Sequence, residues 1–335
     1  MDAVRWNISP EAACLHQSAL VWDNHTCMPL DTRNAFMPEL ERYRTAGVAM
    51  AVINIGDSNI GLEEQMRAAA AFRHWIGAHG DRFALIKTAD DILAAKAQGK
   101  LALAFDVEGA YAMGKDLCIL QLYYDLGVRW MLMAYNKANL AGGGCHDEVD
   151  HGLTPFGYRM IAEMDQVGLI KCCSHTGYRT AMDVLTASEK PVIFSHSNPR
   201  ALKDHPRNIP DDLMKACAAT GGVQCINGIG VFLGDNDIRT ETFIRHIDYA
   251  VQLIGPEHVG IGLDYCFDKA GMEDMLRHAR GIWPEGFGYN PGMKIMELEQ
   301  FPGITEQLLR RGYREQDVRG ILGENLLRVA RNVWK

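Results

Sequence analysis

No stretch of this chain reaches the roughly 18 uninterrupted apolar residues that a membrane-spanning helix needs. Its start, MDAVRWNISPEAACLHQSAL, lacks the cationic segment and apolar core of a secretion signal. The expectation is a cytoplasmic protein with no membrane partner. Positive charge is also scarce: 34 Lys and Arg stand against 42 Asp and Glu, a formal net charge of −8. A nucleic-acid backbone demands clustered cations, so no nucleic-acid partner is expected. Cysteine is present, nine in all, but without a CxxC pair, and Cys172, Cys173 and Cys225 sit inside apolar runs. An odd number so placed reads as reduced, buried thiols rather than a disulfide framework. No linker rich in Pro, Gly or Ser divides the 335 residues, so one domain over 1–335 is expected.

What the chain does have is a repeated strand signal. Short apolar runs bounded by turn residues recur as ALVWDNH, VAMAVINIG (48–56), LALAFDVE (101–108), VRWMLMAYN (128–136), GLIKCCSH (168–175), PVIFSH (191–196), GGVQCIN (221–227) and HVGIGLD (258–264). Such runs suit strands buried on both faces, as in a parallel sheet. Helical patterns separate them, including 61–80 and 90–99, and three closing helices are expected within 304–334. Eight strands alternating with helices is the (β/α)8 TIM-barrel count. An open doubly wound sheet would want a glycine-rich phosphate turn after its first strand, whereas NHTCMPLD contains no glycine.

Five of these runs end in a residue able to bind metal: His25, Glu108, His175, His196 and Asp264. One polar residue at each exit points to a single end of a barrel, where barrel enzymes keep their chemistry. Cys27 stands two residues from His25, so in an extended strand both project from one face. Glu108 closes an apolar strand where a lone carboxylate is costly, and its two oxygens suit it to bridge two cations. The alternative for Glu108 is a helix cap, since Gly109 follows. His175 and His196 each follow a serine, which suggests neighbouring strands offering imidazoles to one zinc. Asp264 could bind metal or take a proton from water.

The segments DNH (23–25), FDVEG (105–109), SH (174–175), PVIFSHSNPRAL (191–202), HPRNIPDDLM (205–214) and HVGIGLD resemble the membrane (renal) dipeptidase family of zinc metallopeptidases, a branch of the metal-dependent hydrolase barrels. The resemblance implies that His25 binds one zinc, Glu108 bridges two, and His175 and His196 hold the second. It further implies that Asp264 contacts the first metal and carries a proton to the leaving amine, and that Arg207 receives the substrate carboxylate. Without that context Arg207 could instead pair on the surface with Asp211 or Asp212.

Several departures stand out. The family motif Asp-x-His-x-Asp reads here Asp23-Asn24-His25-Thr26-Cys27, so a thiol occupies a metal position. It could ligate zinc or stay neutral, leaving one ion or two per chain. Tyr135 stands where well-studied members carry a histidine that polarises the carbonyl, and bacterial relatives sharing YNxxNxxGxG (135–144) also use tyrosine there. Gly228-Ile229 replaces a common aromatic pair, and Cys266 adds a thiol beside the expected site. The expected activity is zinc-dependent cleavage of a dipeptide or dipeptide-like amide by metal-bound hydroxide. The alternatives are a single-metal amidohydrolase acting on a non-peptide amide or lactam, and a non-catalytic ligand-binding barrel. Relatives in this family are often dimers, which makes a homodimer the one assembly expected.

Overall fold

The computed structural model of the chain describes residues 2–278, 281 and 283–335. Ten strands form one sheet in which every pairing is parallel: β1 (Trp22–Cys27), β2 (Met50–Asp57), β3 (Phe83–Leu85), β4 (Leu101–Glu108), β5 (Val128–Leu132), β6 (Ile170–Cys172), β7 (Val192–Phe194), β8 (Val223–Ile226), β9 (Val259–Ile261) and β10 (Tyr265–Cys266). The order β1-β2-β4-β5-β6-β7-β8-β9 follows the eight apolar runs of the sequence. Closure comes from the last run itself. Its first half pairs with β8, and its continuation β10 pairs with β1 through Thr26 with Tyr265 and Cys27 with Cys266. The architecture is an α/β TIM-barrel-like fold.

Alternation along the strands sorts side chains between two cores, because successive residues of a strand point to opposite faces. Leu101, Leu103, Phe105 and Val107 of β4 pack outward with the helices, whereas Ala102 and Ala104 face the interior with Met50, Val52, Trp130 and Ile193. Asp106 and Glu108 share the inward parity, so the same rule that fills the lower barrel with alanine aims two carboxylates into its upper mouth. The helix Asn325–Val333 closes the lower end, burying Leu326, Val329, Ala330 and Val333 at helical spacing. Among the described residues no helix is long and apolar enough to cross a membrane.

Two strands lay outside the sequence reading. β3 is only three residues long and occupies the edge of β4 below the point where β5 takes over, pairing with Leu101–Leu103 while β5 pairs with Phe105–Val107. β10 is two residues and exists only because β1 is beside it. The ladders also end earlier than the apolar runs: His175, His196 and Asp264 lie two or three residues beyond β6, β7 and β9. There, serine hydroxyls take over from the ladder. Ser174 Oγ accepts from the His196 amide at 3.1 Å and lies 3.0 Å from Ser197 Oγ.

Candidate metal centre

The upper mouth of the barrel gathers the residues that five separate runs supplied. Around Glu108 Oε1 lie His196 Nε2 at 3.2 Å, His175 Nε2 at 3.4 Å and His25 Nε2 at 3.6 Å. His25 Nε2 is also 3.5 Å from Asp264 Oδ1 and 3.7 Å from Cys27 Sγ, and Cys27 Sγ is 3.5 Å from Asp264 Oδ1. Two overlapping groups have the compactness of a metal site: His25 with Glu108 and His196, and His25 with Cys27 and Asp264. Glu108 caps no helix, and the short turn after it is entered at Ala110.

Four of these side chains, His25, His175, His196 and Asp264, are held from behind. Asp106 Oδ2 lies 3.1 Å from His25 Nδ1, with Asp106 Oδ1 accepting from Asn54 Nδ2 at 2.8 Å. Asn136 Oδ1 is 2.7 Å from His175 Nδ1, Ser195 Oγ is 2.8 Å from His196 Nδ1, and Asn227 Nδ2 donates to Asp264 Oδ2 at 2.9 Å. In every imidazole the Nδ1 is engaged and the Nε2 is left for the centre, as metal-binding histidines require. The sequence reading missed all four supports. Asp106 alone carried a signal, a second inward carboxylate two residues before Glu108. His175 and Asp264 hold left-handed backbone conformations, φ 61° and 60°, costly for residues with a side chain and concentrated where function constrains the chain.

Burial sets the electrostatics. It drives His175 and His196 well below the ordinary imidazole range, so both present neutral nitrogens. It pushes Glu108 well up, because that carboxyl has little to stabilise its charge. For His25 burial opposes the charge, but the Asp106 and Glu108 carboxylates outweigh it and raise its pKa well above the usual value. Asp264 moves the other way: burial is overcome by the neighbouring histidines, chiefly the charged His25 through its charge and hydrogen bond, and its pKa falls. The Cys27 thiol is raised well above its usual range by burial and by Asp264.

The centre opens into a cavity of about 310 Å³ whose wall includes Glu108, Tyr135, His175, Arg207 and Asp264. Tyr135 stacks on His175 with ring centroids 4.2 Å apart. Arg207 is not a surface residue paired with Asp211 or Asp212. It is 2% exposed, its Nη2 reaches the His196 carbonyl at 3.3 Å, and its Nε and Nη1 have no hydrogen-bond partner. Asp211 and Asp212 instead accept from Tyr249 and Tyr178. Ile229 and Cys266 both line the cavity, so the departures from the family pattern fall on its wall.

The family model described as membrane dipeptidase (peptidase family M19) matches residues 12–282 and 284–335. Dipeptidase tcpJ of Claviceps purpurea (strain 20.1) is 30% identical over 260 residues, covering 76% of this chain and 56% of that protein. Dipeptidase 3 of Rattus norvegicus is 31% identical over 241 residues, covering 70% of this chain and 45% of that one. The chain thus spans about half the length of these curated relatives. Among solved structures, an amidohydrolase from Pseudomonas aeruginosa superposes with a TM-score of 0.85 at 30% identity, covering 96% of this chain and 99% of the other. With its barrel, its converging ligand-type side chains and a family match over nearly its whole length, the chain belongs to the membrane dipeptidase family of peptidases.

Proposed function

We propose that this chain is a zinc-dependent hydrolase cleaving the amide of a dipeptide or dipeptide-like acyl amino acid. The observation that carries the reading is Glu108 Oε1, a buried acceptor with no hydrogen-bond partner facing three imidazole nitrogens. The three nitrogens lie 3.2 to 3.6 Å from that oxygen, each with its Nδ1 already engaged, and a divalent cation among them fits the donor set. Glu108, His25, His175, His196 and Asp264 would hold it. A cation so bound supplies Lewis-acid polarisation of the amide carbonyl and acidifies water.

The chain's own residues account for the remaining tasks. Asp264 has Oδ2 tied to Asn227 and Oδ1 turned to the centre, and its lowered pKa keeps it ionised to accept a proton from water and pass it to the leaving amine. Tyr135, whose phenol burial holds well above its ordinary pKa, stays protonated and donates to the carbonyl oxygen. Arg207, with two unpartnered nitrogens, offers a planar fork to the substrate carboxylate. The test is metal analysis of freshly purified protein alongside hydrolysis of a dipeptide panel before and after chelation. Full turnover in metal-stripped protein would refute the reading.

One observation favours a second reading. Cys27 is held as a neutral thiol whose hydrogen points to Asp264 Oδ1, which weakens the first cation position and suits a single-metal amidohydrolase acting on a non-peptide amide or lactam. About one zinc per chain without dipeptide cleavage supports it. A second zinc and dipeptide turnover gained in Cys27→Asp would identify the thiol as the cause.

A further inference from the structure

The cavity has a polar floor and an apolar wall. At its floor stand the centre, Tyr135 and Arg207, whereas its outer wall is built by Met28 and Leu30 after β1, by Met272 and Met275 of the helix Lys269–His278, and by Trp283 and Met293 beyond it. Trp283 is fixed in place by edge contacts with Tyr135 at 5.7 Å and Tyr289 at 5.0 Å, so the wall is continuous with the residues that face the scissile bond. The two other carboxylates on the cavity are engaged with their own loops. Asp57 Oδ1 accepts from the Asn59 amide at 2.7 Å, and Asp268 Oδ1 accepts from the Gly271 amide at 2.9 Å at the start of the helix. No Lys lines the cavity, and Arg207 is its one cationic side chain besides histidine among the described residues.

We propose, resting on the hydrolase reading above, that the substrate carries a bulky apolar group on the acyl side of its scissile amide, lodged against the methionine wall while its carboxylate lies on Arg207. A group seated there leaves water for an apolar surface, and burying one large side chain is worth about tenfold to a hundredfold in affinity over glycine. Four of the six wall residues named are methionine, an unbranched and adaptable side chain. The wall therefore selects for apolarity and size while discriminating little among shapes. Leu, Met, Phe and Trp at that position are accepted within a few-fold of one another, and Asp or Lys is disfavoured because its charged head would have to leave water against the methionine wall.

The experiment compares Gly-Ala, Leu-Ala, Phe-Ala, Asp-Ala and Lys-Ala by kcat/KM with the zinc-loaded protein. In parallel, calorimetry measures binding of phosphinate mimics of Phe-Ala and Gly-Ala. The expected result is a preference of about tenfold or more for Phe and Leu over Gly in turnover, and for the Phe over the Gly mimic in binding, collapsing to within a few-fold in Met275→Glu. Met275 is 38% exposed on its helix, so its replacement leaves the core intact. Equal binding of the two mimics, or faster turnover of Asp-Ala or Lys-Ala, overturns the proposal. No turnover of any peptide combined with tight binding of the Phe mimic alone refutes the hydrolase reading and leaves the apolar assignment standing.

Discussion

Asp106 never touches the centre, yet its replacement by asparagine is expected to weaken metal binding by about tenfold to a hundredfold, or roughly 1.4 to 2.7 kcal/mol. The number of acceptors decides the outcome. The ionised carboxylate offers an oxygen to each neighbour, Oδ2 to His25 Nδ1 at 3.1 Å and Oδ1 to Asn54 Nδ2 at 2.8 Å. Asn54 cannot turn round, because its own Oδ1 accepts from the Gly56 amide at 2.8 Å. In Asp106→Asn the single amide oxygen must therefore serve Asn54, and the NH2 group faces His25 Nδ1. That contact is satisfied only if the imidazole carries its proton on Nε2, the nitrogen aimed at Glu108 and Asp264, where a ligand lone pair is needed. Competition with a chromophoric chelator reads the affinity directly, and the rise in Tm expected on adding zinc should shrink in step. A second change provides the control. Asn54→Asp in the Asp106→Asn background gives the NH2 group an acceptor on the other side, frees the amide oxygen for His25 and should recover much of the lost affinity. Wild-type affinity in the single variant, or no recovery in the double, would refute the reasoning.

Other outcomes follow from the same geometry. Arg207→Lys keeps the charge but loses the fork, and should lower kcat/KM by about 10- to 100-fold, mostly through KM, in steady-state assays. Gly109 holds φ 115° and a Cβ there would come within 2.3 Å of Ser58 Oγ, so Gly109→Ala should displace Glu108 and destabilise the fold by at least about 1 kcal/mol in urea unfolding. His16 and His246, both buried away from the centre with Nε2 on a backbone carbonyl, are lowered by burial from 6.5 to about 4. The unfolded chain therefore binds more protons than the folded one between those values. Stability should be complete above about pH 7 and fall as pH drops from 6.5 toward 4, by up to about 1.4 kcal/mol per pH unit for each histidine. Urea unfolding at pH 7, 5.5 and 4.5 checks this, and a flat profile would contradict it.

Much of the barrel was legible in the residues. Eight apolar runs, their separation by helical segments and the closing helices within 304–334 all reappear, because strand and helix periodicities are local and each run carries its own. The polar exits were legible for the same reason: a charged or imidazole side chain after a run buried on both faces contradicts its surroundings unless something receives it. Tertiary structure alone decided the rest. β10 is two residues made into a strand by a neighbour distant in sequence, and the closing bond from the Leu263 amide to Asp23 Oδ1 spans 240 positions. The supports Asn54, Asn136, Ser195 and Asn227 are ordinary polar residues until folding sets each behind a particular side chain. The apolar wall comes from a short helix and an irregular segment, with no period to announce which way its methionines face. A sequence determines which side chains must leave water and which local conformations they prefer; only the closed ring determines which of them meet.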